Sequence, residues 1–194
     1  MKNNSSGRRD FLRQSSLIAG GILSAPMFSQ ATNYFSGSND VIRIALVGCG
    51  GRGTGAAMQA LLSKQNVQLV AMADAFRDRL DSCLKELMKE ENTNNGNGRG
   101  SVKDRINVPE ENKFTGFDAY KKAIPLADVV ILATPPGFRP IHFEEAIQQN
   151  KHVFMEKPVA TDPAGVQKVL ATAALAIEKK RNVVVGLQRH YQTS

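Results

Sequence analysis

The chain has 194 residues, of which 42% are hydrophobic and 22% charged, a balance typical of one soluble globular domain with an appendage. The formal net charge is +7. The sequence shows no basic stripe interleaved with aromatic residues, so we expect no nucleic-acid partner. No apolar run approaches the roughly 20 residues that a membrane-spanning helix needs, so we expect no stable membrane anchor. The two cysteines, Cys49 and Cys83, are too few for a disulfide framework, and we expect buried free thiols and no metal site.

Residues 1–31 have the organisation of an export signal. A basic segment around Arg8 and Arg9 precedes a mildly apolar stretch, and Ser29-Gln30-Ala31 forms a small-x-Ala cleavage sequence. The paired arginines, followed by Phe-Leu and another basic residue, resemble the twin-arginine signal, although Gly7 stands where that pattern usually has Ser or Thr. An ordinary secretion signal or a basic tail is the alternative. The resemblance implies the twin-arginine export machinery as a partner and a periplasmic location, with residues 32–40 as a linker.

A glycine-rich loop opens the main domain, which we assign to residues 41–190. The β-branched run from Val41 to Val47 predicts a buried strand, and the sequence G-C-G-G-R-G follows it ahead of an amphipathic helix. In this setting Gly48 permits a tight turn, Gly50 lets the backbone approach a pyrophosphate, and Gly53 lets helix and strand pack closely. The free N–H groups of the helix start favour the pyrophosphate. The loop residues assigned to cofactor binding are Gly48, Gly50, Gly51, Arg52 and Gly53.

Asp74 ends a second apolar strand, Val67 to Ala73, and lies 21 residues beyond Gly53, near the spacing of a ribose-binding acid. A carboxylate accepts hydrogen bonds from two adjacent ribose hydroxyls and repels a 2′-phosphate, so NAD is favoured over NADP. The alternative is that Asp74 only caps the next helix. Arg77, three residues on, is placed to approach a 2′-phosphate, which keeps NADP in consideration.

Strands and helices alternate through the rest of the domain. This alternation predicts an α/β fold with a Rossmann-type doubly wound parallel sheet. Residues 92–100 are almost entirely polar and predict a mobile surface loop. The predicted helices cover 77–89, 141–150 and 162–180, with a small one ending at 124. The apolar face of the first is predicted to consist of Leu80, Leu84, Leu87 and Met88. The predicted strands cover 127–133, 152–155 and 183–185, with a short edge strand within 114–118.

Thr134 and Pro135 follow the predicted strand that ends at Ala133. Strand ends on this side of a parallel sheet face the cofactor crevice, so Thr134 is predicted to supply a hydroxyl or backbone contact there. A plain turn is the alternative. His142, near the start of the next helix, is predicted to face solvent or to pack against its neighbours.

Three further motifs, A-T-P-P at 133–136, K-H-V-F-M-E-K-P at 151–158 and G-L-Q-R at 186–189, complete a family resemblance. With the glycine loop and Asp74, they resemble the N-terminal half of the glucose–fructose oxidoreductase, inositol dehydrogenase and MocA family. The resemblance implies a NAD(P)-dependent, homo-oligomeric oxidoreductase that acts on a sugar, polyol or derivative. It also implies a second α/β domain that supplies a catalytic histidine. Residues 191–194 would begin that domain, and the chain is therefore expected to be a fragment or a truncated product.

The resemblance assigns the catalytic role to Lys157. It implies that this ammonium points toward the nicotinamide and the reacting hydroxyl, where it would stabilise a developing alkoxide. Glu156 would position the cofactor or the lysine, and Pro158 would fix the turn. Gln188 and Arg189 match family positions that border the nicotinamide. From the sequence alone, Lys157 would be an exposed loop cation.

Two alternative functions stay open at this point. One branch of the family hydrolyses glycosides with NAD, but it usually has a valine where Lys157 stands. The other alternative is a module that binds the dinucleotide without catalysis, because the residues that would select a substrate are not in this chain.

Overall fold

The computed structural model describes residues 40–89 and 102–190. The export signal, nearly all of the linker, the polar loop at 92–100 and residues 191–194 lie outside the described residues. Within the described ranges, no helix has both the length and the apolar character needed to cross a bilayer.

A six-stranded parallel sheet forms the centre of the domain, in the order β3-β2-β1-β4-β5-β6. This order confirms the predicted doubly wound Rossmann-type fold. The strands are β1 Ile42–Val47, β2 Val67–Asp74, β3 Lys113–Thr115, β4 Val129–Leu132, β5 His152–Met155 and β6 Val183–Val185. The helices are α1 Gly51–Leu61, α2 Arg77–Leu87, α3 Ala119–Ala123, α4 Arg139–Gln148 and α5 Pro163–Glu178.

Helices cover both faces of the sheet, which explains why its strands are continuous apolar runs. Strand β1 shows the division, because Ile44 and Leu46 belong to the core on one face and Ala45 and Val47 to the core on the other. The first core includes buried residues of α1 and α2, and the second includes those of α3, α4 and α5.

Two predicted details of helix α2 differ in the structure. The helix ends at Leu87 rather than residue 89, so Met88, which was predicted to lie on the apolar face, is 41% exposed. Cys83 takes a place in the core with Leu80 and Leu87. The prediction that Cys49 and Cys83 are buried free thiols is confirmed.

Arg105 stabilises the far end of α1, away from the carboxyl ends of the strands. Its Nη1 donates hydrogen bonds to the backbone carbonyls of Leu61, Ser63 and Gln65, at 2.8, 2.9 and 3.0 Å. One guanidinium thereby satisfies three carbonyl groups between the end of α1 and the start of β2.

The strand order reverses between β1 and β4. The chain leaves β1 for α1 on one face and leaves β4 for α4 on the other, so the two exits diverge. In open parallel sheets, ligands bind in the crevice that this divergence creates at the carboxyl ends of the strands.

Candidate functional site

A cavity of about 460 Å³ opens at this reversal point. Its lining is mainly apolar with a few polar groups, which is typical of cofactor sites. It brings together eight of the residues predicted for the site: Gly48, Gly50, Arg52, Asp74, Thr134, Pro135, Glu156 and Lys157.

Two glycines of the loop are required by the packing between β1, α1 and β4. Gly48 has φ +97°, and a Cβ there would lie 2.6 Å from the Thr134 nitrogen. A Cβ on Gly53 would lie 1.9 Å from the Gly48 carbonyl oxygen and 3.2 Å from the Ala133 Cβ. Gly48 therefore makes the tight turn, and Gly53 allows the close approach of helix and strand, as the spacing predicts.

The other two glycines border open space instead. A Cβ on Gly50 or Gly51 would meet no atom within 4 Å. The protein's own packing therefore does not require glycine there, whereas a pyrophosphate that approaches the backbone would. The start of α1 thus fits the phosphates of a dinucleotide.

Backbone amides on both sides hold the Asp74 carboxylate at the cavity. The Cys49 N–H donates to Oδ2 at 2.6 Å, and the Phe76 N–H donates to Oδ1 at 3.0 Å. The residue at the N-cap of α2 is Phe76, so Asp74 does not serve as the cap. Its carboxylate instead links the glycine loop to the end of β2 and lines the cavity, as a ribose-binding acid does.

The structure places Arg77 away from the cavity. Its guanidinium pairs with Asp81, 3.0 Å from Nε to Oδ1, and with Glu110. The cavity is lined by Arg79, two residues on, rather than by Arg77, and the predicted approach of Arg77 to a 2′-phosphate stays a prediction. The sequence alone did not reveal which of the two arginines lines the cavity, because nearby residues of a helix project in different directions.

An ion pair between the exposed Arg52 and the buried Glu156 joins the glycine loop to the end of β5. The Arg52 Nη2 lies 2.5 Å from the Glu156 Oε1, and Glu156 is only 5% exposed. A Cβ on Gly186 would lie 2.9 Å from the same oxygen, so glycine there makes room for the carboxylate. The pair supplies the countercharge that a buried carboxylate needs, and the sequence contained no signal for it.

His142 packs beside Thr134 instead of facing solvent. It is 4% exposed, its Nδ1 lies 3.0 Å from the Thr134 Oγ1, and its ring packs on Tyr120 with centroids 4.2 Å apart. Burial, with a smaller contribution from the charge of Arg139, lowers the pKa of His142 to about 4. The prediction that His142 packs against its neighbours is confirmed. The alternative that it faces solvent is wrong, because His142 lies on the buried face of α4.

Arg139 is a site residue that sequence reasoning missed. Its guanidinium is buried and donates to the backbone carbonyls of Glu156, at 2.6 Å, and of Pro158 and Thr134. An isolated arginine at the start of a helix carries no sequence signal for such a position, because all three acceptors are backbone groups.

Lys157 lies at the cavity with an exposed side chain. Gln188 and Arg189 lie in a single helical turn, Gln188–His190, after β6. Arg189 is not part of the cavity lining. Their predicted contact with the nicotinamide therefore stays a prediction.

Exposed aromatic rings form one rim of the cavity. Phe76, Phe117 and Phe138 are 62%, 70% and 41% exposed, and the rings of Phe117 and Phe138 stack with centroids 5.9 Å apart. Among the described residues, no group of three or more His, Cys, Asp or Glu side chains is placed to hold a metal ion.

Residues 42–187 match the model of the oxidoreductase family with the NAD-binding Rossmann fold. The chain belongs to this family. The cofactor of this family domain is NAD, and the open glycines at the start of α1, with Asp74 at the end of β2, fit it. None of the curated proteins compared with the chain matches it.

Solved structures of polyol dehydrogenases show the same fold as this family member. Apo scyllo-inositol dehydrogenase from Lactobacillus casei is 21% identical, with TM-score 0.56, over 80% of this chain and 39% of that one. Myo-inositol 2-dehydrogenase from Lactobacillus plantarum is 23% identical, with TM-score 0.56, over the same shares. The Lactobacillus casei enzyme with bound NAD(H) and scyllo-inositol is 22% identical, with TM-score 0.54, over 79% of this chain and 38% of that one. The chain thus spans about two fifths of the length of these structures.

Proposed function

We propose that this chain is the NAD-binding part of an oxidoreductase that transfers hydride between the dinucleotide and a sugar, polyol or derivative. The observation that carries the proposal is that Lys157 lies at the same cavity as Asp74 and the glycine loop. The cation of Lys157, which could bind a substrate oxygen, therefore lies beside the glycine loop and Asp74, which fit the cofactor.

The chain's own residues divide the work of binding. The N–H groups at the start of α1, beside Gly50 and Gly51, would hold the pyrophosphate, and Asp74 would accept from the ribose hydroxyls. The bound dinucleotide supplies the hydride acceptor or donor. Arg52 would stand between two anions, the pyrophosphate and Glu156, and would keep the glycine loop close to the end of β5.

Lys157 would act on the substrate oxygen. When a carbinol carbon loses hydride, its hydroxyl must lose a proton, and negative charge develops on the oxygen. The ammonium of Lys157 would stabilise that charge through a hydrogen bond, while the hydroxyl proton would leave to solvent.

Cyclic polyols are the substrate class that we propose to test first. Support comes from the fold neighbours, which include scyllo-inositol dehydrogenase and myo-inositol 2-dehydrogenase. We further propose that the protein acts in the periplasm after twin-arginine export, on the strength of Arg8 and Arg9. A variant with both arginines changed to lysine is expected to stay in the cytoplasm in a fractionation assay, and undiminished export would contradict this part of the proposal.

The decisive test of the hydride-transfer proposal is Lys157→Ala in the protein that carries this chain. We expect turnover of scyllo-inositol or myo-inositol, followed as NADH absorbance, to fall by at least about 100-fold, because one charge-stabilising group is lost. The Kd for NADH should change by less than about threefold, because the phosphate loop and Asp74 are untouched. The matched control is Lys121→Ala, since Lys121 pairs with Asp118 on the surface. Full turnover in Lys157→Ala would remove its catalytic role.

A dinucleotide-binding module without catalysis is the second candidate. It needs only the features that fit the dinucleotide, the glycine loop and Asp74, and no role for Lys157. The same assay separates the two candidates, because the module would bind NADH yet oxidise no polyol with Lys157 intact.

A further inference from the structure

We propose that Arg139 is a positioning residue that fixes the loop bearing Lys157 against the end of β4. The proposed consequence for catalysis rests on the function proposed above, whereas the mechanical role of Arg139 does not.

The acceptors of Arg139 lie on both sides of Lys157. Nη1 donates to the carbonyl oxygens of Glu156 and Pro158, the residues immediately before and after the lysine, and Nη2 donates to the carbonyl oxygen of Thr134. One guanidinium therefore joins the exits of β4 and β5, the two strands whose ends form this wall of the cavity.

Burial makes this contact specific. Arg139 is 4% exposed, and burial lowers the pKa of its guanidinium, an effect that the nearby Glu156 carboxylate opposes. An arginine remains charged under these conditions, and hydrogen bonds from a charged donor are stronger than those between neutral groups. The Lys157 side chain is exposed, so no packing around it fixes its position. Its backbone therefore determines the region that the ammonium can reach.

The fork geometry of arginine is essential to this arrangement. A guanidinium presents two Nη groups in a fixed plane, which lets Arg139 reach acceptors on two strands at once. A lysine at position 139 would keep the charge but would present a single nitrogen. Arg139→Lys should therefore release one of the two strand exits while the charge of the site is retained.

Arg105 offers a matched control elsewhere in the domain. It also donates to three backbone carbonyls, those of Leu61, Ser63 and Gln65, but these lie between α1 and β2, and Arg105 is not part of the cavity lining. Arg105→Lys makes the same substitution at a backbone contact whose three bonds all come from one nitrogen, Nη1, and it leaves the loop of Lys157 untouched.

The experiment measures how well bound NAD shields Lys157. The protein and its Arg139→Lys and Arg105→Lys variants are labelled with limiting acetic anhydride, with and without saturating NAD, and acetylation is followed by peptide mass spectrometry. The exposed Lys64 serves as the internal reference. We expect NAD to protect Lys157 in the unchanged protein and in Arg105→Lys, and most of that protection to be lost in Arg139→Lys at saturating NAD.

A kinetic readout links this positioning to catalysis. In Arg139→Lys, kcat for the polyol should fall by about 100-fold, the effect of a displacement near 1 Å, while KM for NAD changes little. If no form of the protein oxidises a polyol, the proposed function fails, but the acetylation readout still decides the role of Arg139.

The remaining outcomes each count against the proposal. Equal protection of Lys157 in Arg139→Lys and Arg105→Lys would overturn it, as would equal loss in both. Should Arg139→Lys not fold, Arg139→Gln replaces it with the same expectation. Failure of both Arg139 variants to fold, with Arg105→Lys folded, would show a purely structural role and would also overturn the proposal.

Discussion

Individual polar side chains around the ends of β4 and β5 have their charge states set by burial and by their neighbours. His142 is the clearest example, because its ring lies between Tyr120 and the Thr134 hydroxyl, with the charge of Arg139 nearby. Its pKa is lowered to about 4, mainly by burial, so the imidazole is neutral at neutral pH. A neutral ring keeps positive charge away from Arg139.

This lowered pKa predicts acid sensitivity. The unfolded chain binds a proton on His142 near pH 6.5, whereas the folded chain does so only near pH 4, so stability falls as the pH drops through that window. The loss should approach about 3 kcal/mol for this single group. Urea unfolding at pH 7 and at pH 4.5 should show a smaller pH effect in His142→Gln than in the unchanged protein.

The matched control for this measurement is His190→Gln, because His190 is exposed in the turn after β6. It should retain the full pH effect. An unchanged pH effect in His142→Gln would show that the neutral state of His142 does not contribute to stability.

Predictions for single residues succeeded where the backbone geometry requires one residue type, as at the glycines. They failed for contacts between residues that are far apart in the sequence. Gly48 and Gly53 were assigned their tasks from spacing alone, and the structure shows the predicted turn and close approach. Arg139 and the Arg52–Glu156 pair left no trace in the sequence, because their partners are brought near only by the parallel sheet.

At the scale of elements, the junction of β1, α1 and β4 determines the shape of the cavity. Gly53→Ala would place a methyl group 1.9 Å from the Gly48 carbonyl oxygen, so α1 would have to move away from the sheet. We expect a loss of roughly 1–3 kcal/mol in the free energy of unfolding and a clear weakening of NADH binding. Chemical denaturation and NADH fluorescence titration measure the two effects.

Gly55→Ala is the control for this prediction, since it lies on the same helix. A Cβ on Gly55 would have the Arg52 Nη1 as its nearest neighbour, at 3.6 Å. Alanine favours helix over glycine, so this variant should be as stable as the unchanged protein or more stable by up to about 1 kcal/mol. Equal behaviour of the two variants would mean that the close contact at Gly53 does not hold α1 in place.

The order and type of the elements followed from the sequence, whereas their ends did not. Alternating apolar runs and amphipathic segments are signals spread over many residues, and they predicted the strands and helices correctly. Helix α2 ends at Leu87 rather than residue 89, and only the last turn of the helix decides between these two ends. The sequence signal within one turn is weak, so helix ends are predicted less well than helices. Position within that turn decides whether Met88 is buried.

At the scale of the whole molecule, the dinucleotide should act as a stabilising ligand. At 100 times its Kd, NAD is expected to raise the free energy of unfolding by about 2.7 kcal/mol, because it binds only the folded state. Asp74→Asn should raise the Kd about tenfold, which lowers that gain by about 1.4 kcal/mol at the same concentration. Thermal unfolding with and without NAD measures both quantities.

The control for the carboxylate is Asp81→Asn, an exposed residue of α2 that pairs with Arg77. It should leave the gain from NAD unchanged. A gain in Asp74→Asn equal to that of the unchanged protein would exclude Asp74 as the ribose-binding acid.

The sequence by itself determined the family, the parallel doubly wound sheet and the cofactor, and it predicted where the cofactor binds. These depend on local patterns, namely strand and helix periodicity, the spacing of the glycines and an acid at a strand end. Only the tertiary structure decided that Arg139 holds both sides of Lys157, that Arg52 pairs with Glu156 and that Arg77 lies away from the cavity. Such contacts join side chains to groups on separate strands, and their free energy depends on burial, which exists only once the sheet has formed.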